Sequence, residues 1–305
     1  ISGVHSRVKN IVLRQNGIKQ RFYAVNTKQE MTHTNAELAQ LSIQKLLTEA
    51  LLPLQELELL ACATASPDQV LPSHASMVHG LLKNAPMEIF SASGICLSCV
   101  QAFKIAYLSI LAGDKRNAVC SCSELASAGL LSKNFDVEYE KCANLGIQPY
   151  MALEKDFLRF MLSDGASAVL LQDNPGKGQA LHVEWVEMTS YANELPTCMY
   201  MGAERKENGE LKSWKSFNNL ERAEQSLFVV KQDVKLLGAH AVPYWAKHIK
   251  YCLEKYNVAP ESISYVLPHV SSMFFYDKII NELKGIGIGI DESKWFTNLS
   301  RVGNI

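Results

Sequence analysis

The sequence lacks an excess of charge of either sign, a long hydrophobic run and a secretory leader. Lys and Arg number 30 and Asp and Glu number 31 among 305 residues, so no bulk charge attracts nucleic acid or an anionic membrane surface. No stretch approaches the roughly 18 consecutive apolar residues of a membrane span. Residues 1–7 contain no signal-peptide apolar region. These absences predict a cytoplasmic enzyme without a nucleic-acid or membrane partner.

The cysteines form no framework typical of a small disulfide-rich domain. Eight are scattered along the chain, most of them in apolar runs, which predicts free thiols in a reducing compartment. Zinc is disfavoured because Cys96 and Cys99 fall at a helix start, whereas Cys120 and Cys122 share one face of a strand. A redox Cys96-x-x-Cys99 pair is a further alternative, but its flanking residues do not support it. We expect no metal.

What the sequence does have is an alternation of strands and helices, which predicts an α/β fold with helices on both faces of a sheet. The helix after Cys96 is apolar nearly all round, so we expect it to be buried centrally. The element order repeats weakly in the second half. Predicted strands cover 57–64, 87–90, 117–123, 160–172, 181–188, 263–269 and 296–299, and predicted helices cover 34–52, 72–83, 95–111, 233–256 and 273–283. The segment Thr34-Asn-Ala-Glu37 is typical of a capping box and opens the first of these helices.

Cys96 is the strongest candidate for chemistry. It lies where a short strand turns at Gly94 into the apolar helix. The first backbone N–H groups of a helix have no intrahelical partner, and with the helix dipole they favour a thiolate over a thiol. The alternative is that Cys96 packs as a small hydrophobic residue, as most buried cysteines do.

Separated pieces of the sequence, taken in order, resemble the β-ketoacyl-ACP synthase III-like family of the thiolase superfamily. The match spans nearly the whole chain, and the order and spacing of the pieces make it specific. The pieces are Asn16-Gly-Ile-Lys-Gln-Arg21, Ser93-Gly-Ile-Cys96, Ser163-Asp-Gly-Ala-Ser-Ala168, Leu267-Pro-His269 and Gly303-Asn304.

This resemblance implies a thiolase-like fold of duplicated βαβαβ halves, layered α-β-α-β-α, with a buried central helix after Cys96. Residues 1–175 would form the half that carries the nucleophile, and residues 176–305 the half that carries His and Asn. Members of the family begin with a further strand and end with a glycine-rich strand. We therefore expect the natural protein to extend beyond this sequence at both ends.

The resemblance also implies roles for three residues. Cys96 would take an acyl group from a thioester and hold it as a thioester of its own. His269 and Asn304 would donate hydrogen bonds to the carbonyl oxygen of the second substrate, a malonyl- or β-ketoacyl-thioester. The product is a new carbon–carbon bond in fatty-acid or specialised lipid and polyketide biosynthesis. The substrates are acyl-ACP or acyl-CoA, acyl carrier protein is the partner, and no cofactor is expected.

Two further residues are implied to bind substrate. Leu71 aligns with a bulky residue that crosses the dimer interface of the family and limits the partner's acyl pocket, so a homodimer is expected. Ser272 stands where the family usually has an amide side chain, which puts malonyl-ACP as the second substrate in doubt. Asn10 and Ile11 stand where the family commonly has a Trp that stacks on the adenine of CoA, which favours a carrier-protein donor.

Alternatives from other classes stay open. A type III polyketide synthase uses the same Cys–His–Asn trio. An acyltransferase would stop after transfer from Cys96 without condensation. A thiolase would need a second late cysteine, and Cys252 is poorly placed for that role. A non-catalytic ketosynthase-like partner subunit usually lacks the nucleophile, whereas Cys96 is present here.

Overall fold

The structure, a computed structural model, describes residues 6, 9–144, 157–174, 176 and 178–305. Its contacts divide the chain into two compact units. We call Tyr23–Ser127 with Asp164–Met188 and Ile305 the sheet unit. We call Ile1–Phe22, Ala128–Ser163 and Thr189–Asn304 the helical unit. The predicted halves 1–175 and 176–305 have different boundaries from these interleaved units and stay a prediction.

The sheet unit is built on a four-stranded sheet in the order β2-β1-β3-β4. β1 pairs in parallel with β2 and β3, and β4 runs antiparallel to β3. Every residue of β1 is buried, as expected for a central strand covered on both faces. The strands are β1 (Leu59–Thr64), β2 (Glu88–Ser93), β3 (Asn117–Glu124) and β4 (Gly165–Gln172).

Helices cover both faces of this sheet, as the alternating pattern predicted. On one face, Ile43 of α2 and Val78 of α3 pack with Leu60 of β1. On the other face, Ala102 of α4 packs with Leu59, because successive side chains of a strand point to opposite faces. The predicted capping box at the start of α2 is confirmed. The helices are α1 (Lys9–Asn16), α2 (Asn35–Glu49), α3 (His74–Leu82) and α4 (Ser98–Leu111).

The helix after Cys96, which is predicted to be buried centrally, is buried on one face only in this chain. Ser98, Ala102 and Ala106 are buried because these small side chains bring α4 close to the strands. Leu108 and Leu111 are 43% and 66% exposed. The apolar outer face of α4 is therefore open in this chain.

The helical unit has a core of its own, in which the helices Val234–Lys255 and Tyr276–Gly285 pack together through side chains such as Val242 and Ile280. Short strand pairs join β5 (Met199–Tyr200) to β8 (Lys231–Gln232) and β6 (Ala203–Arg205) to β7 (Leu211–Ser213). The short helix α5 covers Ala126–Gly129. The later helices of the helical unit are α6 (Asp136–Asn144), α7 (Asn219–Glu224), α8 (Val234–Lys255), α9 (Tyr276–Gly285) and α10 (Leu299–Val302).

The predicted strands of the second half do not form as regular strands. Residues 181–188 are irregular, the segment 263–269 makes a single parallel bridge from Val266 to Trp295, and Leu299 begins α10. A strand needs a partner backbone over several residues, and within the described residues Val266 finds one only at Lys294–Phe296. In the first half, the strand predicted over 160–172 begins later, at Gly165.

No helix within the described ranges combines the length and hydrophobicity needed to cross a membrane.

Candidate active site

Cys96 lies in the turn between β2 and α4 and is exposed. The turn closes through Ser98, whose backbone N and Oγ both donate to the Ile95 carbonyl oxygen, at 3.0 Å and 2.9 Å. Leu97 is the N-cap residue of α4 and provides no side-chain hydrogen bond to the helix. The backbone N–H of Ser98 is thus satisfied within the turn, and the Leu97 side chain caps none of the other first N–H groups of α4, the groups that favour an anion at a helix start.

A disulfide joins Cys99 to Cys122 in the structure. The prediction that all cysteines are free thiols is wrong for these two residues. Cys99 belongs to the first turn of α4 and Cys122 to β3. Sequence spacing concealed this pair, since 23 residues separate its members and only the packing of α4 on the sheet brings them together.

Leu71 lies at the tip of an anchored loop between β1 and α3. Val70 and Leu71 are 82% and 81% exposed. On one side of the tip, the Asp68 carboxylate accepts hydrogen bonds from the backbone N of Asn35 at 2.7 Å and of Ala36 at 2.9 Å. These are the first N–H groups of α2, where an anion is favoured by the helix dipole. The loop therefore presents two apolar side chains to solvent from a fixed base.

On the other side of the tip, buried His74 anchors the start of α3. Its Nε2 lies 3.0 Å from the Ser123 Oγ of β3, and its Nδ1 is buried without a hydrogen-bond partner. Burial lowers the pKa of His74, an effect that nearby Asp68 opposes. His74 is therefore neutral at pH 7. No local pattern in the sequence identifies His74 and Asp68 as anchors of this loop, although Ser73 before His74 has the signature of a helix N-cap.

His269 belongs to the helical unit and retains solvent-exposed surface. Desolvation by the protein atoms around the ring nevertheless lowers the pKa of His269. The imidazole is therefore neutral at pH 7, with one nitrogen carrying a proton. A neutral imidazole can donate one hydrogen bond to a developing oxyanion without first losing a proton to solvent.

Ser272 is fully buried, and its side chain forms a hydrogen bond with the nearby backbone. Its Oγ accepts a hydrogen bond from the backbone N of Phe274 at 3.3 Å and so caps a short 3₁₀ turn, Met273–Phe275. The next residue, Met273, packs against Gly17, where an added Cβ would lie 2.5 Å from Met273 Cγ. The hydroxyl of Ser272 is thus an acceptor in the fold, and its substrate-binding role stays a prediction.

Asn304 is buried and held by its backbone beside the segment that precedes β4. Its N donates to the Met161 carbonyl oxygen at 3.0 Å, and its carbonyl oxygen accepts from the Ser163 N at 2.8 Å. Gly303 turns the chain out of α10 with a φ of +79°, and an added Cβ there would lie 2.9 Å from Ser163 Cβ. Only glycine meets both requirements.

Three of the motifs recognised in the sequence meet around Ser163. Its Oγ accepts a hydrogen bond from the Phe22 N at 2.8 Å, and Arg21 Nη1 donates to the Arg159 carbonyl oxygen at 2.7 Å. Asn16 Nδ2 donates to the Phe160 carbonyl oxygen at 2.8 Å. The early segment, the Ser163 turn and the Gly303-Asn304 pair are therefore one packed structure within the helical unit.

The predicted site residues are divided between the two units. Cys96 and Leu71 belong to the sheet unit, and His269, Ser272 and Asn304 belong to the helical unit. Their roles in one active site stay a prediction. Among the residues that the structure describes, no group of three or more His, Cys, Asp or Glu side chains could hold a metal ion.

The chain is similar to known proteins over most of its length. β-Ketoacyl-[acyl-carrier-protein] synthase III of Clostridium perfringens is 24% identical over 293 residues, which covers 94% of this chain and 75% of the relative. The same enzyme of Aquifex aeolicus is 26% identical over 293 residues, covering 96% and 76%. No family model matches the chain.

A solved structure of AbyA1, a tetronic acid condensing enzyme, superimposes with a TM-score of 0.69 at 20% identity, covering 98% of this chain and 80% of that one. The resemblance to the β-ketoacyl-ACP synthase III-like family is confirmed. The thiolase-like α/β fold is confirmed with it. The comparisons also confirm the expected enzyme class, since these relatives are synthases or condensing enzymes.

Proposed function

We propose that this chain is a ketosynthase that joins an acyl group held on Cys96 to a malonyl- or β-ketoacyl-thioester. The observation that carries the proposal is an exposed cysteine at the start of α4, in a chain that aligns over 94% of its length with a β-ketoacyl-ACP synthase III. An exposed position at a helix N-terminus gives a thiol both access to substrate and stabilisation of its thiolate.

In the first step, the Cys96 thiolate attacks the carbonyl carbon of the donor thioester. A new S–acyl bond forms at Cys96, the bond to the carrier sulfur breaks, and the carrier leaves as a thiol after taking up a proton. Backbone N–H groups of the turn after β2, including that of Cys96, would stabilise the tetrahedral oxygen. No cofactor takes part in this exchange.

In the second step, His269 and Asn304 act on the extender thioester. For a malonyl group, the bond to the carboxylate breaks, carbon dioxide leaves, and the electron pair forms an enolate. Neutral His269 and the Asn304 amide would each donate a hydrogen bond to the enolate oxygen. The enolate carbon then attacks the Cys96 thioester, a carbon–carbon bond forms, and the Cys96 thiolate is expelled.

Ser272 is the observation that favours a β-ketoacyl second substrate over a malonyl one. A short hydroxyl replaces the longer amide of the family, and its oxygen accepts a backbone hydrogen bond at 3.3 Å. The site around His269 therefore offers fewer fixed donors for a malonyl carboxylate. A β-ketoacyl thioester forms its enolate by transfer of an α-proton to a base, a role that the unprotonated ring nitrogen of neutral His269 would take. It carries no carboxylate and does not need those donors.

The proposed partners follow from the same activity. An acyl carrier protein would deliver the donor, and the cytoplasm would be the compartment. A second copy of this chain would cover the apolar outer face of α4 and the open edge of β2, which pairs with β1 alone among the strands that the structure describes. Such a dimer would also bring the Leu71 tip of one copy to the other, where it would limit the length of the acyl pocket.

Intact-mass measurement with a panel of acyl-CoA and acyl carrier protein thioesters tests this proposal. We expect a mass gain equal to the acyl group in the native protein and none in Cys96→Ala. Cys198→Ala, which changes a half-buried cysteine of the helical unit, should load normally. Product analysis with a second thioester then separates the alternatives, because a β-ketoacyl product supports condensation and a transferred ester or amide supports simple acyl transfer. Loading that survives in Cys96→Ala would overturn the proposal.

A further inference from the structure

The Cys99–Cys122 disulfide joins the first turn of α4, just after the turn that carries Cys96, to β3. Cys99 follows Cys96 by three positions and is the second residue of α4. Cys122 lies on β3, where its backbone is in register with Ala63 of β1 on one side and Ser167 of β4 on the other. The Cα atoms of the two cysteines are 5.6 Å apart, within the range that a disulfide requires.

The link is a covalent attachment at a helix start whose other contacts with the sheet are weak or apolar. Leu97 provides no side-chain cap, and the N and Oγ of Ser98 donate back to Ile95. The Cys120 Sγ of β3 donates a weak hydrogen bond to the Cys99 carbonyl oxygen at 3.8 Å, and Ala102 packs against the strands. β3 lies between two strands and is held by hydrogen bonds on both edges. The disulfide therefore ties the first turn of α4 to a rigid part of the sheet.

The buried thiols of Cys62 and Cys120 do not take part in thiol–disulfide exchange with the Cys99–Cys122 bond. Burial raises the pKa of the Cys120 thiol to about 12, and burial also raises the pKa of Cys62. Both stay protonated near neutral pH and are poor nucleophiles. Cys99 and Cys122 are each only half-buried, so an external thiol can reach their disulfide.

We infer that the Cys99–Cys122 pair is a redox-sensitive link that sets the reactivity of Cys96. Reduction by a dithiol breaks the sulfur–sulfur bond, transfers two electrons and two protons to the cysteines, and converts the dithiol into its own disulfide. With the link open, the first turn of α4 keeps only a weak Cys120 Sγ–Cys99 O hydrogen bond and apolar packing to hold it on β3, and its backbone N–H groups are held less firmly beside the Cys96 thiolate. In a reducing compartment, disulfides are transient and responsive, which suits a switch. The inference rests on the proposed function only in taking Cys96 as the nucleophile.

The first experiment tests the link itself. The purified protein is denatured and alkylated with iodoacetamide, with and without prior reduction by dithiothreitol, and peptides are mapped by mass spectrometry. We expect Cys99 and Cys122 to label only after reduction, whereas Cys62 and Cys120 label in both samples. Full labelling of Cys99 and Cys122 without reduction overturns the inference.

The second experiment tests the effect on Cys96. The rate of Cys96 alkylation in the folded protein is measured from pH 5 to pH 9, before and after reduction. We expect reduction to lower the rate at pH 7 severalfold and to move the profile toward higher pH. The Cys99→Ser, Cys122→Ser double variant should match the reduced protein in both conditions, and Cys198→Ser should respond as the native protein does. A profile that reduction leaves unchanged overturns the inference.

Acyl loading separates the two proposals. If the oxidised protein loads an acyl group and reduction changes neither the rate nor the extent, the ketosynthase proposal stands and the switch fails. If reduction changes Cys96 alkylation but no thioester loads in either state, the switch stands and the ketosynthase proposal fails.

Discussion

The turns that carry Cys96 and Asn304 are held by different kinds of contact. The Cys96 turn connects a paired strand to a helix and leaves the cysteine exposed. The Asn304 turn is buried, and its backbone bonds to residues 161 and 163, far away in the sequence. The first turn therefore follows from local strand and helix formation, whereas the second exists only because distant segments pack around it.

The largest expected effect is on chemistry in the helical unit. His269→Ala should leave acyl loading of Cys96 intact and reduce the rate of condensation by about 10²–10³-fold, the effect of removing one oxyanion donor. Single-turnover mass measurements follow both steps. His182→Ala, at an exposed histidine of the sheet unit, is the control and should change neither step. Equal losses in loading and condensation would mean that His269 acts on the Cys96 step instead.

Gly303→Ala tests the packing that holds Asn304. The new Cβ would lie 2.9 Å from Arg21 Cγ and Ser163 Cβ at a φ of +79°, so we expect the free energy of unfolding to fall by about 2–4 kcal/mol. Gly209→Ala changes a glycine of similar φ, +87°, that has open space where the Cβ would lie. The free energy of unfolding of this control variant should fall by only about 1–2 kcal/mol. Urea denaturation measures both, and similar losses would refute the role of close approach at Gly303.

Leu71→Ala tests the exposed tip of the sheet unit. The substitution should shift the ratio of kcat/KM between long and short acyl donors by about tenfold toward the longer one, since one or a few methylene groups are worth about 1–3 kcal/mol in an apolar pocket. The free energy of unfolding should change by less than about 0.5 kcal/mol, because the side chain is solvent-exposed. Val70→Ala is the matched neighbour, and a shift of equal size there would argue against a specific role for Leu71.

The smallest expected effect is the pH dependence that His74 contributes. Because its pKa is lowered in the folded protein, the unfolded chain binds a proton first as the pH falls below the ordinary value of about 6.5. Stability from this group is complete above that pH and is lost below it, by at most about 1.4 kcal/mol per pH unit. Denaturation at pH 7.5 and 5.5 should show a smaller loss in His74→Gln. The same dependence in both proteins would contradict the assignment.

Much of the sheet unit could be predicted from the sequence. The capping box at Thr34 placed α2, and apolar runs placed β1 and β3 within about two residues of their observed ends. These features depend on neighbouring residues, so a local pattern carries them. The predicted burial of α4 was met on one face only, because an apolar sequence does not specify whether a neighbour covers it.

The helical unit was harder to predict, since its motifs are fixed by distant partners. The strand predicted over 263–269 is reduced to a single bridge, in which Val266 pairs with Trp295. The rest of this segment is irregular. The segments around Asn16, Ser163 and Gly303 could be picked out as motifs, but no local pattern shows that they touch.

Cys99 and Cys122 of the sheet unit illustrate the same dependence on distant partners, because their spacing gave no sign of a bond.

The sequence by itself determined the resemblance to the β-ketoacyl-ACP synthase III-like family, the α/β class and the candidate residues Cys96, His269 and Asn304, because motif order and hydrophobic periodicity are properties of the chain as written. Tertiary structure alone decided that Gly303 must be glycine, that Ser272 caps a turn and that Cys99 meets Cys122. Those outcomes depend on which distant atoms share a few ångströms of space, and packing is what brings them there.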